Sequence, residues 1–264
     1  MSNAEYHARP EVSKSQLDLI NRDIYALEWQ KNAPVHDVKM KTLDFGTATH
    51  AILLEPELLE TDFIVMPKFN LRTNAGKEEK EQFLTENKGK TVLTYDEREK
   101  LDILYKSVMA HPEARKLIEA EGMVETSMTW QDEPTGIMCR CRPDKIVKGR
   151  LIDIKTTPDI KKFSYSVQDY RYHVQDAFYN DGSAANGFES ESMVFLVIQK
   201  NVECGRYPVQ VCTLPYELVE YGRFCYNEDL QKLASKEDLE GFQELSLHPG
   251  LWSKIEDNQI GDIK

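Results

Sequence analysis

The chain has 264 residues, of which 45 are acidic and 33 basic, giving a net charge of −12 at pH 7 and a pI near 5.1. This balance is wrong for a protein that coats nucleic acid non-specifically, and no apolar run approaches the roughly 18 residues of a membrane-spanning helix. Five cysteines, an odd number, favour reduced thiols in a cytoplasmic protein. No linker or repeat interrupts the chain, so we predict a single domain over residues 1–264, with 235–264 as an acidic tail.

The N-terminal part is predicted to be helical. A helix is expected over 13–31, with Ser13 or Ser15 as its N-cap, and a second over 42–54, with Thr42 as its N-cap and Pro56 after its end. His50 lies on the second helix, where a lone histidine is usually a packed core residue. A short apolar strand is predicted at 63–66.

A polar loop at 70–77 leads into a charged helix. Two interpretations stay open for it. The loop is either a solvated connection or a DNA contact, in which Arg72 and Lys77 bind phosphates and Asn74 supplies hydrogen bonds.

Two scaffold helices are predicted at 95–109 and 112–121, followed by a strand at 124–130 that pairs with 137–146. Glu125 on this strand is interpreted either as an outer carboxylate of an ion site or as a salt-bridge partner. Cys139 and Cys141 have no second closely spaced cysteine pair after them, so core packing is favoured over a zinc or iron–sulfur site.

The most informative stretch is a predicted hairpin at 139–157. Apolar residues flank Lys148-Gly149, and glycine there can take a positive φ, so a two-residue loop is expected. This register places Asp144 across from Asp153, and Arg142 across from Lys155. Directly opposed carboxylates repel at a β-carbon separation of about 4.5–5.5 Å, and a divalent cation such as Mg²⁺ is the simplest reason for such a pair. Without its context, Asp-x-Lys is more typical of a solvated surface hairpin.

The C-terminal half is predicted to contain a helix over 169–181, strands at 193–198 and 205–212, and a last helix from Pro215 to about residue 233. The first of these helices carries Tyr172, Gln175 and Tyr179 along one face, a spacing that on its own is more often packing than chemistry.

Pro143-Asp144 followed by Asp153-Ile154-Lys155 resembles the PD-(D/E)xK nuclease signature. The wider pattern is similar to the RecE-type exonucleases, in the RecB-like branch of that superfamily. The segments that carry the similarity are 12–17 (VSKSQL), 46–50 (GTATH), 72–77 (RTNAGK) and 172–179 (YHVQDAFY).

The resemblance implies an α/β fold in which helices flank a central mixed sheet and its catalytic hairpin. It implies a magnesium site, which Mn²⁺ could also occupy, in which His50 completes the shell formed by Asp144, Asp153 and the backbone carbonyl of Ile154. Lys155 would position or activate the attacking water, and Gln175 and Tyr179 would border the site as the Gln-x₃-Tyr element. The residues expected to contact DNA are Arg72, Asn74, Lys77 and Arg142.

The implied activity is processive 5′→3′ digestion of double-stranded DNA from its ends by a ring-shaped homotetramer, leaving 3′ single strands for a single-strand annealing recombinase. Residues 139–175 carry nine basic and four acidic side chains, a local +5 that leaves −17 elsewhere and suits an enclosed DNA channel. A restriction or repair endonuclease, and a non-catalytic DNA-binding or assembly module, remain as alternatives. Neither a Walker A sequence nor Gly-x-Gly-x-x-Gly occurs in the chain.

Overall fold

A computed structural model describes residues 3–34 and 44–236. The predicted N-cap Thr42 and nearly all of the predicted tail lie outside these residues. The helices within the described ranges are α1 (Asn3–His7), α2 (Lys14–Arg22), α3 (Ala26–Asn32), α4 (Asp44–Leu54), α5 (Pro56–Thr61), α6 (Asn74–Glu86), α7 (Tyr95–Ala110), α8 (Pro112–Glu119), α9 (Phe163–Asp169), α10 (Tyr172–Ala185) and α11 (Tyr216–Ala234). None of them is both long and apolar enough to cross a membrane.

The strands in the same ranges form one mixed sheet and two small ribbons. Their bounds are β1 (Phe63–Val65), β2 (Thr91–Leu93), β3 (Gly122–Val124), β4 (Met128–Gln131), β5 (Met138–Cys141), β6 (Lys145–Val147), β7 (Gly149–Thr157), β8 (Ser190–Gln199) and β9 (Val209–Cys212). The central sheet has the order β3–β6–β7–β8–β9, with β7 and β8 parallel and the other neighbours antiparallel. The predicted α/β fold, with a central mixed sheet flanked by helices, is therefore confirmed.

The middle strands β7 and β8 are buried on both faces, as strands covered by helices on each side must be. On one face, Ile154 and Leu196 pack with residues of α4, α7 and α8. On the other face, Leu151 and Phe195 pack with Phe163 of α9. Side chains alternate along a strand, so polar residues on β7 emerge at sites that the flanking helices enclose.

The predicted hairpin between β6 and β7 has the expected register. Lys145 pairs with Ile152 and Val147 with Arg150, around a turn in which Gly149 has a φ of +74°. The ladder ends at the pair Lys145–Ile152, so the prediction that Arg142 lies across from Lys155 is wrong. Pro143 has no backbone N–H to donate, and the chain leaves the sheet before Arg142 is reached.

Two predicted helices are each divided in the structure. The helix expected over 13–31 begins as predicted, because the Ser13 backbone N–H donates to the Gln16 side chain. The helix breaks at Asp23, which has an extended backbone. The Asp23 side chain accepts a hydrogen bond from the Tyr25 backbone N–H at 2.8 Å, a local bond that competes with the helix. The helix expected over 169–181 starts only at Tyr172, because Arg171 before it has a left-handed backbone, with a φ of 51°.

The strand predicted at 124–130 is also interrupted, between Val124 and Met128. Its first part, β3, pairs with β6, and its second part, β4, pairs with β5, so both halves find partners within the predicted segment 137–146. Cys139 and Cys141 on β5 are buried in the apolar core, which confirms core packing for these two side chains.

A buried carboxyl on α10 gives a stability prediction. Asp176 is 1 % exposed, and burial raises its pKa to about 7, although Asn180 donates to it at 2.6 Å. Between the unfolded value near 3.9 and about 7, the folded state binds more protons, so stability falls as the pH rises through this window. We expect Asp176→Asn to increase the free energy of unfolding at pH 8, by at most about 4 kcal/mol, and to leave it almost unchanged at pH 4. Thermal unfolding of both proteins across this range tests it, and parallel pH profiles would contradict it.

Candidate active site

The hairpin brings Asp144 and Asp153 to the same cavity. Both side chains are buried, and the Oδ2 atom of Asp144 accepts a hydrogen bond from the backbone N–H of Ile154 at 2.5 Å. The ladder ends at Lys145, one residue short of Asp144, so the predicted backbone pairing of Asp144 with Asp153 does not form, and the Asp144 side chain instead reaches the backbone of β7 at Ile154. The cavity has a volume of about 370 Å³.

His50 approaches the same point from α4, which packs on the opposite face of β7 from Asp153. Its Nε2 atom is 3.3 Å from the carbonyl oxygen of Ile154 and 3.7 Å from Oδ2 of Asp144. The structure thus brings together three of the four predicted metal ligands, one from a helix, one from the hairpin and one from the strand backbone.

Glu125 is the residue that the sequence left undecided. Its backbone has a φ of 48°, a region that non-glycine residues seldom adopt and that costs about 1–3 kcal/mol. Its N–H donates to the carbonyl oxygen of Asp144 at 3.0 Å. Ligand atoms of Glu125, His50 and Asp144 all lie within 4.8 Å of one another, while Arg142 Nη1 is 3.9 Å from the Glu125 carboxylate. Glu125 is thus an acid beside the candidate ion site and a weak salt-bridge partner of Arg142, so both interpretations stay open.

Asp153 is held differently from Asp144. Lys155 Nζ is 2.6 Å from its Oδ2 atom, and the Gln175 side-chain amide donates to its Oδ1 atom at 2.5 Å. Its carboxylate is not in the group of three ligand residues above, although it faces the same cavity. The predicted site residues Lys155 and Gln175 thus both contact an aspartate of the hairpin.

The titration of Lys155 limits what it can do. Burial lowers the pKa of Lys155, but the negative charges of Asp153 and Asp144 outweigh burial, so that the net pKa is raised. In the metal-free protein the two aspartates therefore favour the protonated form of Lys155. It suits the placement of a phosphate or a water molecule by charge and hydrogen bonding.

Tyr179 lines the cavity together with Gln175, and Gln175 lies one helical turn before Tyr179 on α10. Burial raises the pKa of Tyr179 well above its usual range, so its hydroxyl stays protonated and can donate a hydrogen bond. Helix α10 packs closely against α11 at Gly222. Any side chain at this position would clash, because its Cβ atom would lie 2.1 Å from the carbonyl oxygen of His173 on α10.

The acidic residues of the site are suited to a divalent cation. Burial and the nearby Asp144 raise the pKa of Glu125 to about 7. Burial also raises the pKa of Asp144, a shift to which Asp153 adds and which His50 opposes. Two buried carboxyl groups this close repel each other when both are ionised, and a bound cation would relieve this repulsion. Two carboxylates, an imidazole and a carbonyl oxygen are donors that Mg²⁺ or Mn²⁺ accepts.

Arg142 lines the cavity but is mostly buried. Its Nε–H donates to Ser127 Oγ at 2.8 Å, and its guanidinium lies 4.0 Å from the ring centroid of Tyr6. Its Nη2 atom is buried without a hydrogen-bond partner within the described part of the chain. A DNA-binding role for Arg142 stays a prediction, and it would be confined to groups that enter the cavity.

The other predicted DNA contacts lie apart from the cavity lining. Arg72, Asn74 and Lys77 are exposed at the start of α6, where the Thr73 hydroxyl caps the helix. We expect Arg72→Ala to weaken DNA binding and to reduce the slope of log K against log salt concentration by about 1.

Fluorescence anisotropy with labelled duplex DNA over a range of salt concentrations checks this. Arg115→Ala, which removes an exposed arginine from α8, serves as the control. An unchanged slope in the Arg72 variant would reject the contact.

Comparison with known proteins agrees with this geometry. Residues 20–235 match the model of a family described as a PDDEXK-like domain of unknown function, DUF3799. No curated protein matches the chain. Among solved structures, the chain is similar to a candidate exonuclease from Eubacterium rectale, with 13% identity, 99% of each chain covered and a TM-score of 0.60.

A weaker similarity is to an alkaline exonuclease from Laribacter hongkongensis, with 17% identity, 77% of this chain and 99% of that chain covered, and a TM-score of 0.32. That score is too low to support any argument. The family match covers most of the chain and includes the hairpin and its surrounding helices. The chain therefore belongs to the PDDEXK-like family DUF3799.

Proposed function

We propose that this protein is a metal-dependent exodeoxyribonuclease that degrades linear double-stranded DNA. The observation that carries the proposal is the placement of Asp144 and the Asp153–Lys155 ion pair at one cavity, with His50 Nε2 3.7 Å from the Asp144 carboxylate. Hydrolysis of a phosphodiester needs an activated water molecule and cationic groups that stabilise the charge on the phosphate. The carboxylates and the lysine provide the groups for both tasks.

The residues that would hold a cation are His50, Asp144, Asp153 and the carbonyl oxygen of Ile154, and Glu125 is close enough to join them. When bound, Mg²⁺ or Mn²⁺ supplies a Lewis acid that lowers the pKa of water and neutralises phosphate charge.

The remaining groups act on orientation. Gln175 holds one oxygen of Asp153, which fixes the plane of that carboxylate. Lys155, protonated and 20 % exposed, presents a positive charge to the cavity. Arg142 adds a second positive charge to the lining of the cavity.

The resemblance to RecE-type enzymes supports the finer parts of the proposal. For the activity, these are 5′→3′ polarity, processive digestion and a 3′ single strand passed to an annealing recombinase. For the assembly, they are a ring-shaped tetramer in the cytoplasm, with one nuclease domain in each chain.

The test uses blunt linear duplex DNA labelled at each 5′ end in turn, together with a covalently closed circular duplex, in Mg²⁺ or in a chelator. We expect early release of short 5′-labelled products from the linear DNA, an intact circle, and no reaction in chelator. Cleavage of the circle would instead identify an endonuclease. No cleavage of either substrate in Mg²⁺ or Mn²⁺ would overturn the nuclease proposal.

A further inference from the structure

Two tyrosines form a stacked pair at the mouth of the active-site cavity. Tyr170 and Tyr172 flank Arg171 between α9 and α10, and their ring centroids are 5.7 Å apart with planes 28° from parallel. Behind Tyr172, the rings of Phe163 and Phe195 continue the stack into the core, with centroids 5.7 and 5.9 Å from that of Tyr172. The outermost ring, Tyr170, is 61 % exposed.

The corner that holds these rings is firmly anchored. Arg171 keeps its left-handed backbone while its guanidinium binds the fully buried Asp229 at 2.6 Å and Asp18 at 3.2 Å. Lys14 donates a hydrogen bond to the carbonyl oxygen of Tyr170. Residues of both neighbouring elements, α2 and α11, therefore hold the backbone that carries the Tyr170 ring.

The ring pair lies among the cations of the site. Tyr170 and Tyr172 both line the cavity that contains Asp153 and Lys155. The ammonium groups of Lys155 and Lys14 are 4.7 and 5.9 Å from the ring centroid of Tyr172. An exposed aromatic face beside basic groups is the combination with which proteins bind single-stranded nucleic acid, stacking the base and pairing the phosphate.

We infer that Tyr170 is a stacking platform for an unpaired nucleobase of the strand whose phosphate enters the cavity. The inference rests on the proposed function, because it takes nucleic acid as the substrate. A cavity of about 370 Å³ is within the range of small-molecule pockets. Every base has a π-face, so stacking here gives little sequence preference.

The test measures binding of the full-length protein to a fluorescein-labelled oligothymidylate, in chelator and low salt. The variants are Tyr170→Ala, Tyr170→Trp, and Tyr216→Ala as a control that removes a comparably exposed tyrosine outside the cavity lining. We expect Tyr170→Ala to raise Kd about tenfold or more, with Tyr170→Trp and Tyr216→Ala close to wild type. An oligonucleotide that lacks bases at its end should bind wild type and Tyr170→Ala equally.

Melting temperatures of all variants should stay within a few degrees of wild type, because the ring is mostly exposed. If wild type binds the oligonucleotide and Tyr170→Ala binds it equally well, the platform is rejected while the nuclease proposal stands. If wild type cleaves linear duplex but binds only intact duplex ends, the platform is again rejected. If Tyr170→Ala loses binding in a protein that cleaves no DNA, the platform holds and the nuclease proposal fails.

Discussion

Replacing Asp144 with asparagine will reduce cleavage of linear duplex DNA by about 10³-fold or more. The change keeps the shape of the side chain and an oxygen that can accept from the Ile154 N–H, but it removes the negative charge that a cation requires. A loss of 10³ corresponds to about 4 kcal/mol in the activation barrier, which is the scale of the charge stabilisation that a catalytic metal supplies. Initial rates with excess Mg²⁺ measure it.

The stability of this variant separates a chemical role from a structural one. Burial raises the pKa of Asp144, so its ionised form is unfavourable in the folded protein without a cation. We therefore expect the metal-free variant to unfold at the same temperature as wild type or higher at pH 8. Asp102→Asn, which removes a partly exposed carboxylate paired with Arg98 on α7, is the matched control and should retain full activity. Cleavage near the wild-type rate by the Asp144 variant would remove this residue from the catalytic site.

Replacing Lys155 with methionine will lower kcat by about 10²–10³-fold, the usual loss when one group that stabilises transition-state charge is removed. Methionine keeps most of the length of the side chain and its packing over the Tyr172 ring, but it has no charge. Because the phosphate oxygens gain negative charge in the transition state, the effect should fall on turnover more than on DNA binding.

Single-turnover rates and DNA affinities of Lys155→Met and Lys155→Arg test this role. The arginine variant keeps a positive charge near Asp153 and should recover part of the rate. The methionine variant leaves Asp153 buried beside an uncharged partner, so its melting temperature must be measured alongside. Full turnover in Lys155→Met would remove Lys155 from the groups that stabilise the transition state.

The part of the site that the sequence predicted well is local. The register of the hairpin follows from apolar residues on either side of Lys148-Gly149, and a glycine at a φ of +74° confirms the physical basis of that prediction. The extension of the register to Arg142 failed because Pro143 and Asp144 leave the ladder, a geometric change that strand periodicity does not reveal.

The features that sequence did not predict depend on contacts between distant segments. Glu125 reaches His50 and Asp144 because β3 pairs with β6, as predicted for this segment, and because its own backbone is left-handed, which residue type does not indicate. The contact between Gln175 and Asp153 requires α10 to pack on the sheet. The resemblance to a nuclease family indicated His50, Gln175 and Tyr179 as site residues, whereas residue type and spacing alone were more typical of packing.

The most direct test of a shared cation site is a crystal structure of the protein with Mn²⁺, using anomalous scattering to locate the ion. We expect a peak about 2.1 Å from an Asp144 oxygen and the Ile154 carbonyl oxygen, with His50 in the shell and Asp153 turned toward the ion. A cavity without an anomalous peak at saturating Mn²⁺, or a peak bound elsewhere while Asp153 stays paired with Lys155, would contradict a metal-dependent nuclease site.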